Sequence, residues 1–337
     1  MPAVSVIIVN WNGEQHLAEC LTSLREQDFT DFEVIFVDNG SKDASLQHAD
    51  ELFPQMKIIA LQTNTGFAKA NNIGIQASSG QYVVLLNNDT RADRRFLSEL
   101  VAAAEMNAGI GMVAPKILNY FESNQIDSIG GLLMCRDGIG QGRGRGELDR
   151  GQYDQLGDVF LPSGCAGLYR RAMLDEVGLL ADEFFAYCED SDLGLRCIWA
   201  GWRCVAAPRA VTYHKYSASS SEYSPLKLQL VERNHYFLAF RNFTFSQLLL
   251  LPLWTLYRYL LMAYSLLSGK GKGKGKAGAR WRIWLLFCAF VKGHWQALLG
   301  APRHWRQRPR IKRISNARFA QCLKEHRLAF DKAFLGE

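Results

Sequence analysis

No two of the eight cysteines form a CxxC pair, and no Cys/His group has the spacing of a zinc site. The thiols stand among apolar neighbours, as buried free cysteines do. That excludes a zinc module and gives no sign of a disulfide framework. No glycine-rich phosphate loop follows the first strand-like run, which continues as "NWNGEQ". The glycines of "GIGQGRGRGELDRG" follow no strand and make no dinucleotide fingerprint. Two readings of that segment stay open: a mobile loop, or one that closes over an anionic substrate. There is no convincing Ser/His/Asp or Cys/His arrangement for covalent catalysis. "MPAVSVIIVN" lacks a basic leader and a small-residue cleavage site, so it reads as a strand, and a reducing, cytoplasmic setting is expected. Charge is also sparse: 21% of residues are charged and the net charge is +6, so no nucleic-acid partner is expected.

What is present is apolar and periodic. Hydrophobic residues make up 48% of 337, enough for one large domain, or for one with an appendage. From residue 4 to 120, strand-like runs ("VSVIIV", "FEVIFVD", "MKIIAL", "YVVLLN", "GMVAPKIL") alternate with helix-like ones. "EQHLAECLTSLREQ", for example, places Leu17, Leu21 and Leu24 on one face. This rhythm predicts a doubly wound, mostly parallel α/β sheet, whose ligands bind at the carboxyl ends of the strands. Those ends read Asn10-Trp11-Asn12, Asp38-Asn39-Gly40 and Asn87-Asn88-Asp89. Any one of them suits a turn. Three in one sheet favour a site. Residues 121–210 look irregular. We expect a catalytic domain over 1–225, with a nucleotide-binding half (1–120) and an acceptor half (121–225), and a helical, basic, membrane-associated region over 226–337.

Several residues carry candidate chemistry. Asp38 can accept from a ribose or a base edge, or can cap the following helix. Asp89 offers oxygen to a hard cation. "FFAYCEDSDLGLRC" puts Glu189, Asp190 and Asp192 at the start of an amphipathic helix. Acids favour helix N-termini, but carboxylates after an aromatic approach also suit general-base work. His214 follows the strand-like "AVTY" and reads as a structural histidine or a ligand.

In order along the chain, "VSVIIVNWNG", "VDNGSKD", "NTGFAKANNIGI", "LLNNDT", "PSGCAGLYRR", "FFAYCEDSDLGLRC" and "YHKYSASS" resemble the family 2 glycosyltransferases of GT-A fold. The resemblance is especially to the rhamnosyltransferase-like branch that builds bacterial cell-surface polysaccharides. The motifs cover residues 4 to about 220. The resemblance implies an inverting transferase that moves a sugar from a nucleotide-diphosphate donor to a hydroxyl of a lipid-linked saccharide. It implies that Asn10, Trp11, Asn12, Asp38, Asn72 and Asn88 contact the nucleotide sugar. Asp89 would hold Mg²⁺ or Mn²⁺ with His214, and Asp190 would be the base, flanked by Glu189 and Asp192. The chain departs from the pattern at Asn87, where the DXD motif has its first acid, and at Asn71, where many relatives carry Arg; Lys69 is the candidate for that missing charge. Rival readings are a nucleotidyltransferase and an inactive, membrane-tethered sugar-nucleotide binder.

The C-terminal third changes character. "FSQLLLLPLWTLYRYLLMAYSLLS" carries Arg258 as its one full charge, and "WRIWLLFCAFVKGHWQALL" is shorter. Six basic residues lie between Lys270 and Arg282. A hairpin or a single crossing would export this charge, against the preference of Lys and Arg for the cytoplasmic side. Helices lying in the interface on anionic lipid avoid the conflict, with Trp254, Tyr257, Tyr259, Trp281, Trp284 and Trp295 at headgroup level and with Pro252 and Arg258 in polar surroundings. The alternative is a soluble helical subdomain packed on the catalytic domain or on a second copy, and a homo-oligomer stays open.

Overall fold

The computed structural model describes residues 1–155, 157–215, 224–268 and 280–334. The Lys/Gly run and the end of "YHKYSASS" therefore lie outside the described residues. The first part alternates β1 (Val4–Asn10), α1 (Glu14–Arg25), β2 (Phe32–Asp38), α2 (Ser45–Leu52), β3 (Lys57–Ala60), α3 (Phe67–Gln76) and β4 (Tyr82–Leu86). Then come β5 (Thr90–Ala92), α4 (Phe96–Glu105) and β6 (Ile110–Asn119).

Residues 121–210 are more regular than their sequence suggests. They hold β7 (Ile126–Ile129), β8 (Leu132–Met134), β9 (Gly140–Gly142), β10 (Asp158–Val159), β11 (Ala166–Arg170), α5 (Arg171–Val177), α6 (Glu189–Trp199) and most of β12 (Arg203–His214). The Gly/Arg-rich segment contributes β9, paired with β8, and Arg143 Nε donates to the Ile129 carbonyl at 2.7 Å. The short strands leave little mark in the sequence because each has few residues and takes its stability from partners distant in sequence. The remainder is helical: α7 (Pro225–Asn242), α8 (Phe245–Ser268), α9 (Arg280–Arg306), α10 (Asn316–Glu325) and α11 (Phe330–Phe334).

The main sheet runs β10-β12-β6-β11-β4-β1-β2-β3, with β5 on β12 and β7 on β6. β3, β2, β1 and β4 are parallel, as are β6 and β12, and β11 is inserted antiparallel between β4 and β6. Helices cover both faces, which is why the central strands are apolar throughout. Val4, Val6 and Ile8 pack with α1 and α4, and Ile7 packs with α3, α5 and α6. A third core joins α6 to the helical region, where Phe184, Leu195 and Trp199 meet Phe237, Leu238, Leu251 and Phe319.

Arg258 corrects an expectation. It does not lie at a headgroup level. It is 2% exposed and turned into the protein, with Nε 2.5 Å from Asp137 and its terminal nitrogens 2.8 and 2.9 Å from Glu232. Thr255 is buried on the same side of α8, whereas Leu249, Leu253, Leu256 and Leu260 are exposed. On α9, Ala289, Gly293 and Ala297 face inward, and Trp284, Phe287, Trp295 and Leu299 face out. Both helices thus turn large apolar side chains outward.

Candidate active site

The parallel register sets Asn10 of β1 beside Asp38 of β2. Asn10 is fully buried and donates to Asp38 Oδ1 (3.3 Å) and Ser41 Oγ (3.2 Å), while Asn88 Nδ2 donates to Asn10 Oδ1 at 2.6 Å. Ser41 Oγ also accepts from the Asn12 amide, and Asp38 Oδ2 from the Ser41 amide. Four of the expected donor-binding residues therefore form one polar cluster at the carboxyl edge of the sheet. Ser41 is its hub, a role the sequence did not reveal. Trp11 is 45% exposed beside the cluster, and Lys69 is exposed on α3.

Asn72 is not part of it. Its amide donates to the Leu180 carbonyl and Asp182 Oδ1 (both 2.7 Å) and accepts from the Leu180 amide. These bonds pin α3 to the segment after α5, where Asn72 lines a separate cleft with Arg241, Arg303 and Arg306. Both of its amide hydrogens are spent on these bonds.

β12 pairs antiparallel with β5, so His214 stands opposite Thr90, next to Asp89. Asp89 Oδ1 is buried with no hydrogen-bond partner, 3.4 Å from His214 Nε2. The other ring nitrogen, Nδ1, is 2.8 Å from Asp127 Oδ2 on β7. Burial works against charge on both groups, yet His214 and His16 hold Asp89 below the usual carboxylate range. Cys165, Asp127 and Asp89 more than offset burial at His214 and raise it well above the ordinary imidazole.

A carboxylate with an orphan oxygen, facing an imidazole oriented by a second carboxylate, fits a hard divalent cation that would take the place of the Nε2 proton. Among the described residues no three His, Cys, Asp or Glu side chains converge on one point. The chain would thus offer two ligands and leave the others to phosphate and water, as Mg²⁺ prefers. Asp127 stands in "NQIDSIGG" among polar residues and glycines, and nothing in that stretch marks it as a site residue.

The motif "PSGCAG" joins this cluster to the acids of α6. The Asn87 amide donates to the Cys165 carbonyl at 2.9 Å, and the Gly164 amide donates to Asp190 Oδ2 at 2.8 Å. A Cβ on Gly164 would stand 3.2 Å from that same oxygen, so a side chain there would crowd the approach.

The three acids differ. Asp192 is fully buried, bonded to Arg196 (2.9 Å), Arg241 (2.8 Å) and Asn242 (2.8 Å). It is an ion-pair anchor between α6 and α7, not an acid open to substrate. Glu189 is also buried; burial and the neighbouring Asp190 charge push it up to about 8, and its Oε2 has no partner. Asp190 is half-buried, which raises it, but the Gly164 and Ser191 N–H groups favour its ionised form. Burial thus raises both carboxyls, and the Gly164 and Ser191 N–H groups oppose that rise at Asp190.

The rise at Glu189 has a consequence for stability. A carboxyl raised from 4.5 to about 8 binds its proton more tightly in the folded chain. Its contribution is complete below the unfolded value and is lost as pH rises through the folded one. Glu189→Gln is expected to raise the melting temperature relative to wild type by an amount that grows between pH 5 and pH 8. A difference that stays flat over this range would contradict the assignment.

The segment before α6 is strained. Phe185, Tyr187 and Cys188 have φ of 65°, 72° and 68°, each costing about 1–3 kcal/mol for a residue other than glycine.

The model of glycosyl transferase family 2 matches residues 5–178, ending short of Glu189 and Asp190. An uncharacterised glycosyltransferase of Haemophilus influenzae is 34% identical over 109 residues, covering 32% of this chain and 34% of its own length. The N-acetylglucosaminyl-diphospho-decaprenol L-rhamnosyltransferase of Mycobacterium tuberculosis is 27% identical over 234 residues, 62% of this chain and 75% of its own length. The chain spans 34%, 56% and 30% of the lengths of three curated relatives it matches. Among solved structures, the mannosyltransferase PcManGT of Pyrobaculum calidifontis, in complex with GDP-Man and Mn²⁺, superposes with a TM-score of 0.53. It is 16% identical, and the match covers 88% of this chain and 87% of that one. The likeness extends to the GT-A architecture.

Proposed function

Because the chain belongs to glycosyl transferase family 2, we propose that it is an inverting glycosyltransferase using a nucleotide-diphosphate sugar. The donor lies against the cluster of Asn10, Asn12, Asp38 and Asn88, with Trp11 available to stack on the base. Asp89 and His214 would hold Mg²⁺ or Mn²⁺, which when bound shields the charge of the diphosphate. Asp190 takes the proton of the acceptor hydroxyl. That oxygen bonds to the anomeric carbon as the carbon–oxygen bond to the diphosphate breaks, and the nucleoside diphosphate departs with its electron pair. One base and no covalent nucleophile are needed. The observation that carries this reading is the hydrogen-bonded turn at Gly164–Cys165, which ties the Asn87–Asp89 segment to Asp190.

The acceptor is a lipid-linked saccharide of cell-envelope polysaccharide synthesis. Arg143 and Arg145 bring positive charge to the cleft that Asp127 lines. Rhamnose is the first donor sugar to test, since one relative is named for it. Nucleoside diphosphate release is measured across a panel of nucleotide sugars with a lipid-linked acceptor, in Mg²⁺, Mn²⁺ or chelator. Release is expected from one donor, lost in chelator, and Asp89→Ala is expected to weaken donor binding. Pyrophosphate release would identify a nucleotidyltransferase, binding without turnover an inactive binder, and full activity in chelator would remove the metal.

The protein works at the cytoplasmic face of the membrane, with α8 and α9 in the interface plane. Phe245–Ser265 has the length and apolarity to cross a bilayer, but its charged side faces protein. Its outward leucines and the outward tryptophans of α9 suit lipid, and Lys292 and Arg306 on α9 suit anionic headgroups. Flotation with anionic vesicles is expected, and the triple change Leu253→Glu, Leu256→Glu, Leu260→Glu is expected to abolish it. A detergent-free soluble dimer that ignores vesicles would show that a second copy covers this face.

A further inference from the structure

We propose that Asn234 of α7 is a positioning residue for glycosyl transfer, holding the turn that presents Asp190. The inference rests on the reading of Asp190 as the base. Asn234 is fully buried, and its amide nitrogen donates to three consecutive-turn carbonyls: Phe184 (2.9 Å), Ala186 (2.8 Å) and Tyr187 (2.8 Å). Two hydrogens thus serve three acceptors. Its own oxygen accepts from Arg233 Nε at 2.8 Å, and another Arg233 nitrogen, Nη2, donates to the Glu183 and Phe184 carbonyls.

These carbonyls belong to the segment in which three residues other than glycine hold positive φ, and Cys188 leads directly into α6. A left-handed backbone at such residues persists only where the surroundings over-determine it. On the other side of the turn, the Ala68 amide donates to the Phe185 carbonyl, and a Cβ on Gly66 would collide with the Phe185 ring. Asn234 supplies the opposing restraint. Aspartate at 234 has no hydrogen to donate, and alanine removes the amide that bonds the Ala186 and Tyr187 carbonyls, while the Phe184 carbonyl keeps Arg233. In either case the turn relaxes towards ordinary φ. Asp190, two residues on from Cys188, then shifts off the Gly164 amide. The donor cluster on β1, β2 and β4 is untouched. The transfer step thus depends on a helix well beyond the residues that match the family model.

The test uses the full-length protein. Asn234→Ala and Asn234→Asp are expected to lower kcat by about a hundredfold, the effect of an ångström-scale misplacement. The donor KM should stay within about twofold. Glycine accepts positive φ without penalty, so adding Cys188→Gly to Asn234→Ala should restore kcat by about tenfold. General loss of folding would not be repaired in this way. If Asn234→Ala does not fold, the double variant reports instead. Turnover near wild type in Asn234→Ala, or loss in step with the folded fraction and no recovery on adding Cys188→Gly, overturns the proposal. Asp190→Asn is assayed in parallel: if it stays active, the base assignment has failed; if it is dead while Asn234→Ala is active, the positioning role alone has failed.

Discussion

Asp190→Asn should remove about 10²- to 10⁴-fold of turnover, the usual contribution of a positioned general base. Nucleotide affinity should be nearly unchanged. The substitution is chosen because Asn keeps the size of the side chain and its one amide oxygen can still accept from either the Gly164 or the Ser191 N–H, which bond different oxygens of the carboxylate. Shape is kept and basicity is lost. The donor cluster lies on other elements and is joined to Asp190 through the Gly164–Cys165 turn, so binding and chemistry separate cleanly. Turnover and nucleotide affinity are measured on the same preparation. Retention of more than a few per cent of turnover would transfer the role to Glu189 and not to Asp192, whose oxygens are taken by Arg196, Arg241 and Asn242. Glu189 is a poor base near neutrality because burial and the Asp190 charge keep it protonated up to about 8.

Arg258→Met should destabilise the protein by about 3–5 kcal/mol, the cost of breaking a buried ion pair from one side. Met retains most of the volume but takes the guanidinium from Asp137 and Glu232, 0% and 3% exposed at their side chains. Glu232 is hit hardest. Burial alone would raise it, and the Arg258 bonds are foremost among the interactions that keep it far below the usual range. The loss is read from denaturant midpoints at pH 7. Adding Glu232→Gln and Asp137→Asn should recover much of it, since neutral partners no longer need the guanidinium. A loss under about 1 kcal/mol would mean that the network is solvated in solution and that α8 is held by its apolar contacts alone. Because Arg258 is the charged link between α8 and α7, the same variant should also lose its regular orientation on vesicles.

Local pattern carried much of this protein. The alternation of apolar strands and amphipathic helices up to residue 120 announces the parallel sheet, because side-chain periodicity is a short-range property of the chain. Strand ends such as Asn10, Asp38 and Asn88 announce the carboxyl-edge cluster, because parallel strands all deliver their ends to one rim. The motif order announced the family. The span of α8 was legible from its apolar run, whereas the way it faces was not, since a hydropathy pattern does not say which side meets protein.

The tertiary structure decided what depends on partners far apart in sequence. Pairing of β12 with β5 sets His214 beside Asp89, and β7 brings Asp127 to the far ring nitrogen. Insertion of β11 between β4 and β6 places the Gly164–Cys165 turn between the two halves of the site. Three neighbouring acids look alike in sequence, but two arginines bind Asp192, burial and the Asp190 charge raise Glu189, and the backbone N–H groups of Gly164 and Ser191 hold Asp190. Arg258 and Asn234 act through contacts 121 and about 50 residues away. By itself, the sequence determined which segments are strands and helices and which chemical groups stand at their ends. Only the tertiary structure decided which of those groups meet and which are spent on packing, because burial and charge pairing belong to the folded chain and not to any stretch of it.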